Sequence, residues 1–186
     1  MELEQAKKIA STVLNAIKPY CSRGVVAGSI RREKPLVKDI EIVAICKDYR
    51  KLYETLGRYG KFIKPGTQEI IEWAPKPNAK YVRMLLNEGI KLDLFLANED
   101  NWGGILVLRT GSGSDEEGNP YGGFSSGIFS KWKEVSGGGR SVNGQFMTPE
   151  GKVYPLREEK DVFEILGIEW VEPKNRTSRS AIKPRG

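Results

Sequence analysis

The sequence contains no histidine, only two cysteines and no long apolar run. Without histidine, the chain can form neither a histidine-ligated zinc site nor a histidine general base. Cys21 and Cys46 lack the spacing of metal ligands and give no basis for a disulfide framework, which favours an intracellular location. No segment has the length and hydrophobicity of a membrane span, and the charged N-terminus does not resemble a signal peptide. We therefore expect no membrane partner.

The chain is basic, with 30 Lys and Arg residues against 24 Asp and Glu residues and a net charge of +6. A surplus of positive charge is compatible with a polyanionic partner. Part of the surplus lies near the C-terminus, where residues 174–186 hold five Lys or Arg residues and no acidic residue. We predict that residues 175–186 form a flexible basic tail that can reach phosphates.

Three carboxylates occur in two apolar runs that both read as strands. Asp39 and Glu41 are separated by one residue, so they point to the same face of a strand. Asp93 lies in the apolar run 91–96 and can reach the same place if the two strands are neighbours. An acidic cluster is costly to bury unless a positive charge compensates it, and oxygen ligands favour Mg²⁺ or Mn²⁺.

A phosphate-binding element precedes these acids. Gly28 and Ser29 stand at the end of a short predicted strand, and Arg32 lies just beyond them. Small residues let the backbone approach a ligand, and arginine is a cation suited to phosphate. A metal site beside a phosphate site indicates nucleotidyl transfer.

The hydrophobic periodicity predicts a mixed α+β fold. Helices are expected at 3–18, 49–56, 98–110, 125–135 and 158–166. Strands are expected at 24–27, 38–46, 69–73, 81–86 and 91–96, with a hairpin of 142–147 and 152–154. The turn-rich segment 111–123 has no core pattern, so we expect a larger lobe over 1–110 and a smaller lobe over 111–174.

These motifs, in this order, resemble the X-family DNA polymerases, the group that includes DNA polymerase beta. Residues 28–32 and 39–41 match the family's Gly-Ser-x-Arg-Arg and Asp-x-Asp elements, and residues 90–94 match the segment that carries its third catalytic Asp. Thr110-Gly111-Ser112 matches the turn between palm and thumb. The thumb is matched by 142–144 and 161–167, followed by Pro173 and Arg176.

The resemblance implies a nucleotidyltransferase palm, a mixed sheet with helices packed on one face, plus a small α+β thumb. It implies a template-directed DNA polymerase that fills short gaps in DNA repair. Nothing precedes Met1 in the given sequence, so the chain is similar to the minimal viral members and is expected to lack the lyase domain. The expected partners are gapped or primer–template DNA and deoxynucleoside triphosphates, bound by a monomer.

The resemblance also assigns roles to residues. Asp39, Glu41 and Asp93 would hold two Mg²⁺ or Mn²⁺ ions, and Asp93 would accept the proton of the primer hydroxyl. Glu41 stands where the family usually has Asp, and its extra methylene moves the carboxylate outward. The triphosphate would be bound by Gly28, Ser29 and Arg32.

Further roles concern the sugar and the DNA. The pocket on the sugar and base side is assigned to Leu108, Arg109, Thr110 and Gly111, and the aromatic pair that many members carry there is absent. The DNA contacts are assigned to Lys91, Lys131, Asn143, Lys174 and Arg176.

Two other functions are compatible with the sequence. A nucleotidyltransferase acting on a small molecule or an RNA end is favoured by the Asp-x-Glu pattern, but the thumb-like C-terminal third argues against it. A catalytically silent nucleic-acid-binding module is disfavoured because all three acids and Arg32 are retained.

Overall fold

The computed structural model describes residues 1–186 and confirms a mixed α+β fold. The chain forms two compact units, Met1–Ala97 and Asn98–Gly186. The division comes before helix α4 (Trp102–Thr110), which packs against helices later in the chain and so belongs to the second unit. The predicted lobe boundary at residue 110 lies at the other end of this helix. No helix combines the length and apolar character needed to cross a membrane.

The first unit is built on a six-stranded sheet with the order β1-β2-β6-β5-β3-β4. Strands β2 and β6 are parallel, and all other neighbouring strands are antiparallel. The strands are β1 (Cys21–Val26), β2 (Asp39–Cys46), β3 (Gly60–Ile63), β4 (Ile70–Ile71), β5 (Tyr81–Leu86) and β6 (Lys91–Leu96).

Two helices cover one face of this sheet, as predicted: α1 (Leu3–Ile17) and α3 (Tyr49–Leu56). Their apolar stripes pack on alternate strand residues, which form the core of this unit with Ile40, Leu92 and Met84 at its centre. The intervening strand residues point to the opposite face. A short helix, α2 (Gly28–Arg31), leads from β1 towards β2.

The second unit combines three helices with a small antiparallel sheet of order β7-β8-β9. Its core joins Val107 of α4 to aromatic residues such as Phe124, Phe146 and Phe163. Besides α4, the elements are α5 (Phe124–Ser136), β7 (Arg140–Val142), β8 (Gln145–Met147), β9 (Val153–Tyr154) and α6 (Glu159–Leu166).

Three local predictions are corrected. The strand predicted over 142–147 is interrupted by a turn, because Asn143 and Gly144 have positive φ values of 50° and 73°. The strand predicted over 69–73 is reduced to two residues. The helix predicted from Asn98 begins at Trp102, because the Asn98 side chain accepts hydrogen bonds from two following N–H groups and forms a turn instead.

The basic C-terminal segment is folded rather than free. Short 3₁₀ turns occur at Pro173–Asn175 and Arg179–Ala181. The backbone N–H of Glu169 donates to Lys183, and that of Arg185 donates to Gly167. The segment therefore packs back on the end of α6, where the sequence predicts a flexible tail.

Candidate active site

Strands β2 and β6 bring the three predicted carboxylates to one face of the sheet. Their parallel register places Glu41 directly beside Asp93, and Asp39 lies two residues before Glu41 on the same face. Asp93 is buried, whereas Asp39 and Glu41 are half-buried. The face that points away from α1 and α3 thus carries an acidic cluster in its centre.

The neighbouring strand β5 supplies two polar partners for this cluster. Arg83 is paired with Asp93 in the register, with its Nε 3.4 Å from Oδ1 of Asp93 and an Nη2 3.5 Å from Oδ2 of Asp39. The Tyr81 hydroxyl donates a 2.5 Å hydrogen bond to the same Oδ1 of Asp93. Burial raises the pKa of Tyr81 well above its usual value, and the hydrogen bond to Asp93 raises it further. Tyr81 therefore stays a donor at physiological pH.

The phosphate-binding element lies against Glu41. Gly28 has a φ of +60°, and a Cβ added there would lie 2.9 Å from Cδ of Glu41. The position therefore requires glycine for both its conformation and its space. Burial lowers the pKa of Arg32, and the nearby Glu41 carboxylate opposes this effect. Gly28 and Arg32 are thus neighbours of Glu41, although Glu41 lies on a different element, β2.

The other two predicted residues of this unit lie at the edges of the cluster. Ser29 is half-buried in α2, and its carbonyl accepts the N–H of Lys34 at 2.9 Å, which closes the turn after the helix. Lys91 begins β6 beside Asp39, and its Nζ donates to Oε1 of Gln68 at 2.7 Å.

The chemistry of the donors suits a hard cation, because all of them are carboxylate oxygens. No group of three or more Asp, Glu, His or Cys side chains is drawn together as a metal cage in the structure. Two of the carboxylates instead share the guanidinium of Arg83. The face therefore favours positive charge, and its residues fit a divalent ion in type.

In the second unit, the predicted sugar-side residues lie at the end of α4. Thr110 is fully buried, Leu108 is half-buried with its carbonyl accepting from the Ser125 hydroxyl, and Arg109 is exposed. A Cβ on Gly111 would lie 2.6 Å from the Phe124 ring, so α4 and α5 approach closely there. These positions form the junction of two helices, and their role towards the sugar stays a prediction.

The predicted DNA contacts of the second unit differ in exposure. Lys131 is half-buried and pairs with Glu134 at 3.5 Å, Lys174 is exposed, and Asn143 is exposed at the turn between β7 and β8. Arg176 is fully buried and donates to Glu159 and to the carbonyl of Val171. The structure thus places the guanidinium of Arg176 in the interior, whereas the prediction assigns this residue to a DNA contact.

Sequence reasoning missed Arg83 and Tyr81, although the sequence carries a signal for both. Period-two alternation places them on one face of an otherwise apolar strand. The hairpin turn is centred on Glu88, and Arg83 and Asp93 lie equally far from it, as the observed register requires. The polar residues of β5 could thus have been assigned to the face that holds Asp93.

Residues 125–177 match the DNA polymerase beta thumb family. The match begins in α5 and extends to the segment after Arg176, so it covers most of the second unit. Together with the mixed sheet and helices of the first unit, it is consistent with a palm-plus-thumb architecture and supports a relationship to the X-family DNA polymerases. No curated protein matches the chain.

Proposed function

We propose that this protein is a template-directed DNA polymerase that adds deoxynucleotides to a primer 3′-hydroxyl and fills short gaps during DNA repair. One observation carries the proposal: the register of β2 and β6 aligns Glu41 with Asp93 and places Asp39 on the same face. The thumb match at 125–177 supports the choice of DNA over other acceptors.

In this proposal, Asp39, Glu41 and Asp93 would hold two Mg²⁺ or Mn²⁺ ions. Bound ions would supply Lewis acidity, which lowers the pKa of the primer hydroxyl and offsets charge on the triphosphate. The register makes Glu41 and Asp93 adjacent across β2 and β6, so carboxylates from both strands would hold the ions. Two neighbouring strands of one sheet therefore set the positions of these carboxylates.

Asp93 is the residue that takes up the hydroxyl proton. Its Oδ1 already accepts from Tyr81 and lies 3.4 Å from Arg83. Neither of these contacts involves Oδ2, so we assign the proton to Oδ2. A carboxylate whose other oxygen is held in place keeps one orientation, which suits a general base.

The triphosphate binds at Gly28, Ser29 and Arg32. Arginine offers a rigid fork of donors that fits phosphate oxygens, and burial of Arg32 strengthens its interactions with an anion. Gly28 has no side chain, so the ligand and the backbone can approach closely beside Glu41. The two sites therefore meet at this glycine.

Glu41 is compatible with this function despite the usual Asp at its position. Its extra methylene brings Cδ within 2.9 Å of the place that a side chain at Gly28 would occupy. The space left by the glycine thus accommodates the longer acid. Glu41 and Gly28 form a matched pair, and either substitution alone would disturb the other residue.

Lys91, Lys131 and Lys174 would hold the DNA backbone. Asn143, at the turn between β7 and β8, would also contact it. Phosphate contacts by lysine release counterions, so binding falls steeply as salt rises. The net charge of +6 is consistent with this mode of binding.

The test is extension of a gapped primer–template with each deoxynucleotide supplied singly, in Mg²⁺ and in Mn²⁺. We expect templated addition by the wild type and a loss on the order of 10³-fold in Asp93→Ala, because a metal ligand and proton acceptor is removed. Glu88→Ala is the matched control, since it removes an exposed carboxylate from the same hairpin. No incorporation with either metal would contradict the proposal. Untemplated addition would favour the small-molecule or RNA-end transferase instead.

A further inference from the structure

Arg83 contacts two of the three carboxylates of the proposed site, and nothing in the sequence motifs assigns it a role. We propose that Arg83 is a positioning residue. It holds the carboxylates of Asp39 and Asp93 in place and competes with a divalent ion for their oxygens. This inference rests on the proposed function, because it concerns the same carboxylates.

The geometry explains how one side chain can reach both acids. Arg83 is on β5, Asp93 is opposite it on β6, and Asp39 is one strand further away on β2. The Nε group lies near Asp93, and the more distant Nη2 group extends over β6 to Asp39. The Arg83 side chain therefore links β5 to both β6 and β2.

Partial burial makes the electrostatic contribution of these contacts larger than that of an exposed ion pair. Three carboxylates on adjacent positions repel one another, and a cation between them offsets that repulsion. The side chains of Arg83, Asp39 and Asp93 are 25%, 29% and 13% exposed, so water screens them only in part. The pair of Arg50 and Glu54 on α3 is 81% and 59% exposed, and such a pair contributes little.

These contacts also mean that Arg83 and a divalent ion compete for the same carboxylate oxygens. A divalent ion bound by Asp39 and Asp93 must take carboxylate oxygens that Arg83 now contacts, and it would lie beside a positive charge. Removal of the guanidinium should therefore raise the affinity for the ion. It should also loosen the alignment of the two acids, so that the folded protein becomes less stable and turnover falls.

The experiment is a titration of the full chain with Mn²⁺, with free Mn²⁺ read by electron paramagnetic resonance. We expect Arg83→Gln to bind Mn²⁺ about tenfold more tightly than the wild type, because one competing charge at short range is lost. Arg50→Gln is the matched control, since it removes the same charge from an exposed pair on the same unit, and its affinity should equal that of the wild type.

A second readout separates positioning from charge alone. Arg83→Lys keeps the charge but cannot span both acids, so we expect Mn²⁺ affinity between that of the wild type and that of Arg83→Gln. The melting temperature of both variants should fall by roughly 2–4 °C. If Arg83→Gln does not fold, the Arg83→Lys affinity decides.

The outcomes distinguish the two proposals. If the wild type binds Mn²⁺ and Asp93→Ala weakens that binding, but Arg83→Gln and Arg83→Lys bind as the wild type does or more weakly, the role of Arg83 is refuted while the metal site stands. If neither the wild type nor Arg83→Gln binds Mn²⁺, the proposed function and this inference both fail.

Discussion

The two units of this protein use the same chemical pair, an arginine and a carboxylate, in opposite ways. In the first unit, Arg83 contacts Asp39 and Asp93 on a half-buried face of the sheet. In the second unit, Arg176 is 0% exposed and forms a 2.5 Å contact with Glu159, while its guanidinium lies 5.2 Å and 4.9 Å from the ring centroids of Phe163 and Trp170.

The two pairs differ in whether another cation can replace the arginine. The Arg176 pair is enclosed by aromatic rings and a backbone carbonyl, so it has no access to an outside ligand and serves the core. The Arg83 contacts are open on one side, and their carboxylates can take another cation. Burial thus separates a structural ion pair from one that can be replaced, and the predictions below test that separation.

The largest expected effect is on the buried pair. Arg176→Ala removes the guanidinium that Glu159 contacts in the interior, and breaking a buried ion pair in this way costs about 3–5 kcal/mol of unfolding free energy. Hydrogen exchange read by mass spectrometry should show the loss of protection in peptides of 98–186. The matched control is Arg50→Ala, whose exposed pair should contribute about 0–1 kcal/mol. Unchanged protection in Arg176→Ala would remove the contrast between the units.

An intermediate effect is expected at alkaline pH, in the first unit. Burial, followed by the nearby Cys46, raises the pKa of Cys21 from 9.0 to about 11. The folded protein therefore holds this proton where the unfolded chain has lost it. The stabilisation is complete below pH 9, declines as pH rises and is gone above pH 11, which amounts to about 2–3 kcal/mol.

Cys21→Ala should remove this part of the alkaline loss. The measurement is urea unfolding at several pH values from 8 to 11, with hydrogen exchange used to assign the change to peptides of 1–97. If the free energy of unfolding declines equally with pH in the variant and the wild type, the Cys21 thiol is not the source of the alkaline loss in the first unit.

The smallest effect is expected on nucleotide binding. Arg32→Ala should weaken deoxynucleoside triphosphate binding about tenfold, near 1.4 kcal/mol, because one charged donor to phosphate is lost. DNA binding should change little. Fluorescence titration with labelled nucleotide and labelled DNA would measure both, with Arg31→Ala as the neighbouring control. Equal losses for both ligands would count against a triphosphate role for Arg32.

Much of the first unit could be predicted from local patterns. The period-two alternation of β2 places Asp39 and Glu41 on one face, and the structure has the same arrangement. The strand over Tyr81–Leu86 and the turn after it were also predicted. Such features depend on residues close in sequence, and these residues carry enough information to specify them.

Other features depend on partners that are distant in sequence. The parallel pairing of β2 with β6 joins Glu41 to Asp93 over 52 residues, and alternation defines faces but not neighbours. The interior position of Arg176 depends on Glu159, which the charge pattern of the tail does not reveal. The turn at Asn143 depends on local sequence instead, because Asn-Gly between short strands is a recognisable hairpin signal.

Strand β6 has a consequence for the order of folding. It is the last strand of its sheet to be synthesised, yet it lies between β2 and β5. Before it docks, β1–β2 and β3–β4–β5 are separate pieces, and β2 presents an unpaired edge that can template aggregation. Closing the long loop between β2 and β6 is entropically costly, so the acidic cluster should assemble late in folding. A nascent chain should therefore be prone to strand mispairing until it has been synthesised to residue 96.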